Sequence, residues 1–581
     1  MKPEGRFPDP EIRRRPQPAV VDLPQALPAV LRRVYAARGL RANQLSLGLG
    51  ALAPPRLRGL DAACALLTTM LHNDASILVI GDYDADGASG CAVAVRGLRM
   101  LGAKRADYLV PNRFSYGYGL SPEIVRLAAE RQPDLLVTVD NGIASIAGVE
   151  AAHALGVPVL ITDHHLPGNR LPDAAAIVNP NQPGCAFASK HLAGVGVVFY
   201  LLGALRAQLR QRDWFQRRNL PDPNLAALLD LVALGTVADL VPLDHNNRIL
   251  VEQGLRRIRA GAASPGVLAL AQVAGRDHRE LVAADLGFAL APRLNAAGRL
   301  EDMSQGIECL LCEEADRALE LAQELDRLNR ERRSLQARME NQAQQAIDCL
   351  ERDTQGPTLP AGLCLYDASW HQGIVGLVAA RMRERTHRPV VALAPDRDGW
   401  LKGSARSIPG LHLRDTLADV ATGQPGLLER FGGHAMAAGL SLPTLQLGRF
   451  RAAFDDAVRH RLGSQPPVGV IWSDGSLRDA ELSFETATAL RQGGPWGQGF
   501  PEPVFDDCFD LLDFRVVGER HLRLTLRKPG TRLPLTAIAF GAAEHHAELN
   551  AQALTIAYRL DLNRYRGEVS MQLMVEHLKS P

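Results

Sequence analysis

The chain has 581 residues and a formal net charge of +1. At roughly 100–200 residues per domain, this length predicts three to five domains. Hydrophobic residues make up 46% of the chain and charged residues 22%. This composition is typical of a globular protein, and it excludes a wholly disordered, collagen-like or acidic solvating chain.

The basic residues are mostly arginines, 59 against six lysines. Arginine binds phosphate through two parallel hydrogen bonds, but a chain rich in Ala, Gly, Pro and Arg is also typical of a GC-rich genome. Composition alone leaves both interpretations open.

Neither disulfides nor a membrane span are predicted. Eight cysteines are too few for a disulfide framework, and the pair Cys309 and Cys312 has no second pair nearby to complete a zinc site. The longest apolar run, Leu192–Leu205, has 14 residues, whereas a membrane helix needs about 20. The start is polar and proline-rich, without the apolar core of a signal peptide. We expect a reduced, cytoplasmic protein without membrane association.

After an N-terminal arm at 1–45, the chain alternates short apolar runs with helical segments. The runs are Ile77–Ile80, Leu135–Val139 and Val157–Ile161, and the helical segments lie near 88–101, 121–131 and 144–155. Continuous apolar runs are typical of strands buried on both faces of a parallel sheet. The order predicts an α/β domain at 46–312 whose last third is mainly helical.

A segment free of Gly and Pro, 313–355 in our division, predicts one long connecting helix, with a coiled-coil dimer as the alternative. A second α/β lobe is expected at 356–462, with strands near Leu363–Tyr366 and Val390–Ala394. From 463 to 581 the pattern changes to short alternating strands, which favours a small OB-like barrel. The predicted fold class is α/β, with two lobes joined by a long helix and followed by a barrel.

Acidic residues follow the predicted strands of the first lobe, at the edge where open α/β sheets bind ligands. The first strand precedes GDYDADG, the second precedes Asp140, and the third precedes the triplet DHH; a further acid follows a helical apolar segment. The acidic and histidine residues are Asp82, Asp84, Asp86, Asp140, Asp163, His164, His165 and Asp239.

Such a concentration of like charge is costly unless a cation neutralises it. A lone Asp after a strand is usually a cap, but acids at successive strand ends converge in space. Carboxylate and imidazole ligands without sulfur fit two Mg²⁺ or Mn²⁺ ions, which serve phosphoester hydrolysis. An EF-hand loop starting at Asp82 is excluded, because its twelfth position is Val93 instead of Glu.

These motifs resemble the DHH phosphoesterase superfamily and, within it, the RecJ type of single-strand-specific 5′→3′ DNA exonuclease. The resemblance covers roughly residues 45–580 and rests on motifs in the expected order: GDYDADG, PNRFSYGYGL, TVDNGIAS, TDHH, GTVADLVPL, PRLNAAGR, GSARS and FGGHAMAAG. It implies metal ligands at Asp84, Asp86, Asp140, His164 and Asp239, with Asp140 between the two ions.

The resemblance also implies roles for neighbouring residues. His165 would contact the scissile phosphate and Asp163 would orient a histidine, while the role of Asp82 stays open. Many superfamily members have a histidine four residues before the first metal aspartate, whereas this chain has Ile80. One ion would then depend more on its other ligands.

The resemblance further implies substrate-binding and catalytic residues outside the metal cluster. DNA phosphates would be bound by Arg113, Arg299, Ser404 and Arg406, and the loop of Gly432, Gly433 and His434 would close on the substrate from the second lobe. His434 would touch the phosphate opposite the metals. The basic stretch of Arg520, Arg523, Arg527 and Lys528 in the barrel would follow the backbone of the strand.

The function implied is 5′→3′ hydrolysis of single-stranded DNA by two metal ions, in recombination and repair. A single-strand-binding protein and a helicase are the implied protein partners, and a monomer is expected. Two alternatives remain: a short-oligonucleotide or cyclic-dinucleotide phosphodiesterase of the same superfamily, and a catalytically inactive DNA-binding scaffold.

Overall fold

The fold divides into two compact units. A computed structural model describes residues 10–18, 22–112, 116, 118–353, 359–397, 399–463, 468–518, 520–543, 549, 552–565 and 568–579. One unit comprises Arg13–Arg327 and Trp472–Pro581, and the other Leu328–Ile471 with the residues up to Ile12. Arg113, expected to bind phosphate, lies outside the described residues.

The N-terminal arm has short regular elements, as expected. Its strand β1 (Glu11–Arg14) pairs with a strand of the C-terminal region, Val470–Ser473. Two helices follow, α1 (Ala29–Ala37) and α2 (Leu60–His72).

The first sheet is fully parallel, as the apolar runs predicted. Its strands are β2 (Ser76–Ile80), β3 (Arg105–Leu109), β4 (Leu135–Val139), β5 (Val159–Thr162) and β6 (Ala176–Val178), in the order β3-β2-β4-β5-β6. The connecting helices are α3 (Ala85–Met100), α4 (Pro122–Ala129) and α5 (Ile146–Ala154). Every residue of β4 and β5 is buried. The sequence analysis missed β3 and β6, because these edge strands are polar or only three residues long.

Nine α-helices follow the first sheet in the described part of the chain before the second sheet, and the last of them extends from the first unit into the second. They are α6 (Gly194–Gln211), α7 (Trp214–Arg217), α8 (Leu229–Ala238), α9 (His245–Arg259), α10 (Pro265–Val273), α11 (Ala283–Asp285), α12 (Ala291–Leu300), α13 (Ser304–Leu311) and α14 (Ala315–Asp353). The 39 residues of α14 give it a length of about 58 Å, so the predicted long helix is present. Its buried stripe includes Leu325, Leu328 and Met339.

The second lobe has a five-stranded mixed sheet. Its strands are β7 (Leu363–Tyr366), β8 (Val390–Pro395), β9 (Trp400–Arg406), β10 (Arg430–Gly433) and β11 (Ala437–Pro443), in the order β10-β11-β9-β8-β7. The helices are α15 (Val375–Thr386), α16 (Leu413–Gly423) and α17 (Leu447–Leu462). Only β7 and β8 were predicted. The other three strands are antiparallel and rich in small residues, so they show no continuous apolar run.

The C-terminal region is a closed five-stranded barrel, which confirms the predicted fold class. After β12 (Val470–Ser473) and α18 (Phe484–Gln492), the barrel strands are β13 (Phe505–Val517), β14 (His521–Arg527), β15 (Pro534–Ala539), β16 (Ala553–Tyr565) and β17 (Glu568–Lys579). In β14, Leu522, Leu524 and Leu526 are buried while Arg523 is exposed, as strand alternation requires.

Candidate active site

Three neighbouring strands present the acidic residues at one edge of the first sheet. The strands β2, β4 and β5 are adjacent and parallel, so their carboxyl ends meet at the same edge. Asp84 begins α3, and its side chain accepts hydrogen bonds from the backbone N–H groups of Asp86 and Gly87, both at 3.0 Å. The aspartates therefore sit at the start of a helix, where the backbone favours negative charge.

The centre of the site is a pair of acceptor atoms that face each other. His164 Nε2 lies 3.0 Å from Asp140 Oδ1 and 3.4 Å from Asp239 Oδ2. Asp140 Oδ1 and His164 Nε2 are both buried, and neither has a hydrogen-bond partner among the described residues. Burial lowers the pKa of His164 to about 4, so the imidazole is neutral at neutral pH, and the tautomer with its proton on Nδ1 has a lone pair on Nε2. Two buried acceptors aimed at one point are the arrangement that a cation satisfies.

Ligand atoms converge in three overlapping groups, each within 4.8 Å: Asp140 with His164 and His165, Asp86 with His164 and Asp239, and Asp82 with Asp84 and Asp140. All five residues expected to bind metal belong to these groups. Asp82, whose role the sequence left open, lies in the third group. The set of carboxylate and imidazole donors fits Mg²⁺ or Mn²⁺.

The raised pKa values of the buried carboxyls also favour a bound cation. Burial and then the charge of Asp84 raise the pKa of Asp86 to about 7. Burial and the charge of Asp86 likewise raise the pKa of Asp140 and of Asp239. These carboxyls lose their protons readily only when positive charge replaces the missing water.

Two glycines allow helices to approach the cluster closely. A Cβ on Gly194 would lie 2.6 Å from the Cβ of Asp140, and one on Gly235 would lie 2.8 Å from Asp86 Oδ1. Asp86 accepts hydrogen bonds from the backbone N–H groups of Gly194 at 2.6 Å and Val195 at 3.1 Å, at the start of α6. Sequence reasoning missed these glycines, and the only indication was their position in apolar helices.

The carboxylate of Asp163 accepts several hydrogen bonds next to the cluster. Its Oδ1 accepts from the backbone N–H groups of His164 at 2.7 Å and His165 at 3.1 Å, and it lies 2.8 Å from His165 Nδ1. Its Oδ2 accepts from Ile143 N–H at 2.9 Å. Burial opposes charge on His165, but the hydrogen bond to Asp163 and the negative charges of Asp163, Asp82 and Asp84 together outweigh it and raise the pKa of the imidazole. This geometry supports the expectation that Asp163 orients a histidine.

The PRLNAAGR motif lies on α12 and packs against the loop between β2 and α3. Asn295 accepts a hydrogen bond from Ala85 N–H at 2.9 Å, and a Cβ on Gly298 would overlap the carbonyl oxygen of Tyr83. Arg299, expected to bind phosphate, follows Gly298 on this helix. Arg293 is buried and pairs with Asp326 at 2.8 Å, so it stabilises the fold locally.

The other expected residues lie on the sheet of the second unit. Arg406 Nη1 donates to Ser404 Oγ at 2.8 Å and to the carbonyl oxygen of Ala405 at 2.9 Å. Gly432 pairs with Gly439, which pairs with Ser404, so one row of the sheet contains both motifs. Gly433 has a φ of 140° and His434 N–H donates to Ala437 in the β10–β11 hairpin.

Three family models match the chain. The DHH family N-terminal domain matches 76–236, the DHHA1 domain matches 360–460 and the RecJ OB domain matches 473–577. No helix among the described residues is both long enough and apolar enough to cross a membrane.

Curated proteins are similar over nearly the whole chain. The single-stranded-DNA-specific exonuclease RecJ of Dickeya dadantii is 54% identical over 98% of this chain and 99% of its own length. The protein of the same name from Escherichia coli is 51% identical over the same shares.

Two solved structures are similar to this chain over nearly its whole length. RecJ from Thermus thermophilus in complex with Mn²⁺ matches with a TM-score of 0.78 at 31% identity, covering 96% of this chain and 76% of that one. Its complex with Mg²⁺ matches with a TM-score of 0.72 at 29% identity, covering 96% and 75%.

Proposed function

Because the chain belongs to the RecJ family of single-stranded-DNA-specific exonucleases, we propose that it hydrolyses phosphodiester bonds of single-stranded DNA from the 5′ end, in recombination and repair. The observation that carries this proposal is the buried pair Asp140 Oδ1 and His164 Nε2, 3.0 Å apart without a hydrogen bond. A divalent cation accepts an electron pair from each of the two atoms and so satisfies both.

The metal ligands in this proposal are Asp84, Asp86, Asp140, His164 and Asp239, with Mg²⁺ or Mn²⁺ as the ions. When bound, such ions supply positive charge that lowers the pKa of the attacking water and stabilises the phosphorus oxygens. The ions of the two Thermus structures, Mn²⁺ and Mg²⁺, are those that the donor set favours.

The protein's own groups bind and orient the strand. His165 donates a hydrogen bond to an oxygen of the scissile phosphate, because Asp163 occupies its Nδ1 and leaves Nε2 to the substrate. Further phosphate contacts come from side chains and backbone N–H groups expected to bind along the strand, namely Arg113, Arg299, Ser404, Arg406, Gly432, Gly433 and His434.

We propose that the roles divide along the expected boundaries, with catalysis in 46–312, a connecting helix in 313–355, a DHHA1-like lobe in 356–462 and strand binding in 463–581. The matched family ranges all lie inside these segments. We propose further that the enzyme is a cytoplasmic monomer acting beside a single-strand-binding protein and a helicase.

The test is degradation of a single strand labelled at either end, with a duplex of the same sequence as the control. We expect early release of the 5′ label as mononucleotide, no cleavage of the blunt duplex, and no reaction with EDTA. Release from the 3′ end alone, or cleavage that persists without a divalent ion, contradicts the proposal.

A further inference from the structure

Tyr118 links two parts of the candidate active site through its hydroxyl group. It lies between β3 and α4, and 51% of the residue is exposed. Its Oη nevertheless lies 3.0 Å from the carbonyl oxygen of Asp140 and 3.2 Å from His165 Nδ1. The side chain is therefore held at its hydroxyl although half of the residue is exposed.

The hydrogen-bond roles follow from the chemistry of the neighbours. The carboxylate of Asp163 only accepts, so the nitrogen 2.8 Å away, His165 Nδ1, carries the proton. The carbonyl of Asp140 also only accepts, so the phenol donates to it. The phenol oxygen then has a lone pair for the Nδ1–H group of His165, which is shared between Asp163 and Tyr118.

This arrangement ties the imidazole to the backbone of the central aspartate. Asp140 has a φ of 63°, a left-handed conformation that is strained for a residue with a Cβ. Tyr118 holds the carbonyl of this strained residue, and its ring meets the ring of His165 edge-on at 5.8 Å. With Nδ1 held from two sides, Nε2 is the ring nitrogen of His165 that has no hydrogen-bond partner among the described residues.

We propose that Tyr118 is a positioning residue for hydrolysis, whose hydroxyl, together with Asp163, holds the imidazole of His165 towards the scissile phosphate. The proposal rests on the exonuclease function argued above. Loss of a group that orients a catalytic side chain typically costs 10- to 100-fold in activity.

The experiment compares Tyr118→Phe with the wild type on single-stranded DNA, using Tyr108→Phe as the matched control. Tyr108 also has a hydroxyl bound to a carboxylate, Glu308 Oε1 at 3.0 Å, but it lies away from the cluster. We expect Tyr118→Phe to lower kcat about tenfold with KM and the Mn²⁺ affinity unchanged. Tyr108→Phe should leave kcat at the wild-type value.

A double-mutant cycle with His165→Ala shows whether the hydroxyl acts through the imidazole. We expect Tyr118→Phe to cause no further loss of kcat in the His165→Ala background, where the residual rate is measured at high enzyme concentration.

NMR tests the contact with the imidazole directly. In protein labelled with ¹⁵N in histidine and free of metal, Tyr118→Phe should shift the ring signals of His165, and Tyr108→Phe should not.

Each of three kinetic results overturns the proposal and leaves the exonuclease function intact. They are a wild-type kcat in Tyr118→Phe, an effect of Tyr118→Phe confined to KM, and the same tenfold loss of kcat in the His165→Ala background. Unchanged ring signals of His165 also overturn it. A wild-type protein that does not degrade single-stranded DNA contradicts the proposed function itself, so the two failures are distinguishable.

Discussion

Asp140 is the residue on which the site depends most. It belongs to two of the three groups of converging ligand atoms, and its backbone N–H donates to the carbonyl oxygen of Thr162 at 3.1 Å. Its left-handed backbone turns the carboxylate towards His164 instead of along the strand. Strained residues of this kind persist where the surroundings fix them, and they concentrate at functional sites.

Asp140→Ala should abolish cleavage and leave DNA binding largely intact, because the carboxylate binds metal while other side chains bind the strand. Loss of several kcal/mol of charge stabilisation corresponds to a rate decrease of about a thousandfold or more. Cleavage and fluorescence anisotropy with a labelled strand measure the two effects. Asp107→Ala, which removes an exposed aspartate from the same sheet, should behave as the wild type. Near-normal cleavage by Asp140→Ala would refute its central role.

Binding of Mn²⁺ should weaken as the pH falls, because protons compete for Asp86. The pKa of this carboxyl is raised to about 7 in the metal-free protein, so below that pH it must release a proton before it binds metal. The affinity should then fall at least about tenfold per pH unit, since the pKa of Asp140 and of Asp239 is raised as well. Imidazole does not explain this slope, since the pKa of His164 is lowered to about 4.

Calorimetric titrations at about pH 8.5 and pH 6, in buffers of different ionisation enthalpy, measure the affinity and the protons released. We expect at least about one proton released at the lower pH and fewer at the higher one. Equal affinities at the two pH values would count against this account of Asp86.

At the scale of elements, the start of α6 determines how closely a helix approaches the sheet edge. Gly194 brings its N–H within 2.6 Å of Asp86 Oδ2, and its missing Cβ leaves room for Asp140. The helix thus supplies backbone donors to one metal aspartate and space for another.

Gly194→Ala should lower cleavage and Mn²⁺ affinity, because the new Cβ would lie 2.6 Å from the Cβ of Asp140 and must displace it. We expect at least about a tenfold loss, as for a displacement of roughly 1 Å in an active site. Gly203→Ala on the same helix meets no atom within 4 Å, and it should keep wild-type activity with unfolding at an equal or higher temperature. Equal activity of the two variants would show that the close approach has no role.

The sequence predicted those parts of the site that its local pattern encodes. Continuous apolar runs locate β2, β4 and β5, and the acids that follow them converge because parallel strands end at one edge. Asp239 was placed after an apolar segment, and it lies at the end of α8. The roles of Gly194 and Tyr118 could not be predicted, because they depend on contacts between elements far apart in the chain.

Parts of the remaining fold also could not be predicted, because they depend on contacts between elements far apart in the chain. The small residues of β10 and β11 show no strand pattern, although GSARS and FGGHAMAAG were recognised as motifs. In the barrel, two members of the expected basic stretch have partners: Arg527 pairs with Asp510 at 3.1 Å and Lys528 with Asp507 at 3.3 Å. Sequence alternation gives the face of a strand but not the acids opposite it.

At the scale of the whole molecule, the N-terminal arm connects the barrel region to the first lobe. Arg38 forms two hydrogen bonds with Asp474, at 2.7 and 3.0 Å, and Tyr35 Oη donates to Gly493 O at 2.8 Å. Farther along, Gln253 Nε2 of α9 donates to Leu47 O at 2.6 Å. The arm therefore stabilises the unit that contains the candidate site and the barrel.

Arg38→Ala should lower the free energy of unfolding by about 3 kcal/mol, because the fully buried side chain of Asp474 loses its close ion pair and keeps only Arg15, at 3.9 Å, as a cation. Arg14→Ala is the matched control: Arg14 pairs with Asp506 at 2.8 Å, but 60% of its side chain is exposed. That change should cost less than about 1 kcal/mol. Chemical denaturation measures both, and equal losses would contradict the assigned role of the buried pair.

We propose that the acidic edge of the first sheet is a two-metal centre for a single DNA strand. Crystallography tests this most directly. The experiment is an anomalous diffraction map of the Asp163→Ala variant or another slow variant, with Mn²⁺ and a short 5′-phosphorylated strand. We predict two manganese peaks among Asp84, Asp86, Asp140, His164 and Asp239, with a phosphate of the strand beside them. Manganese bound elsewhere, or a strand that lies away from this edge, would contradict the account.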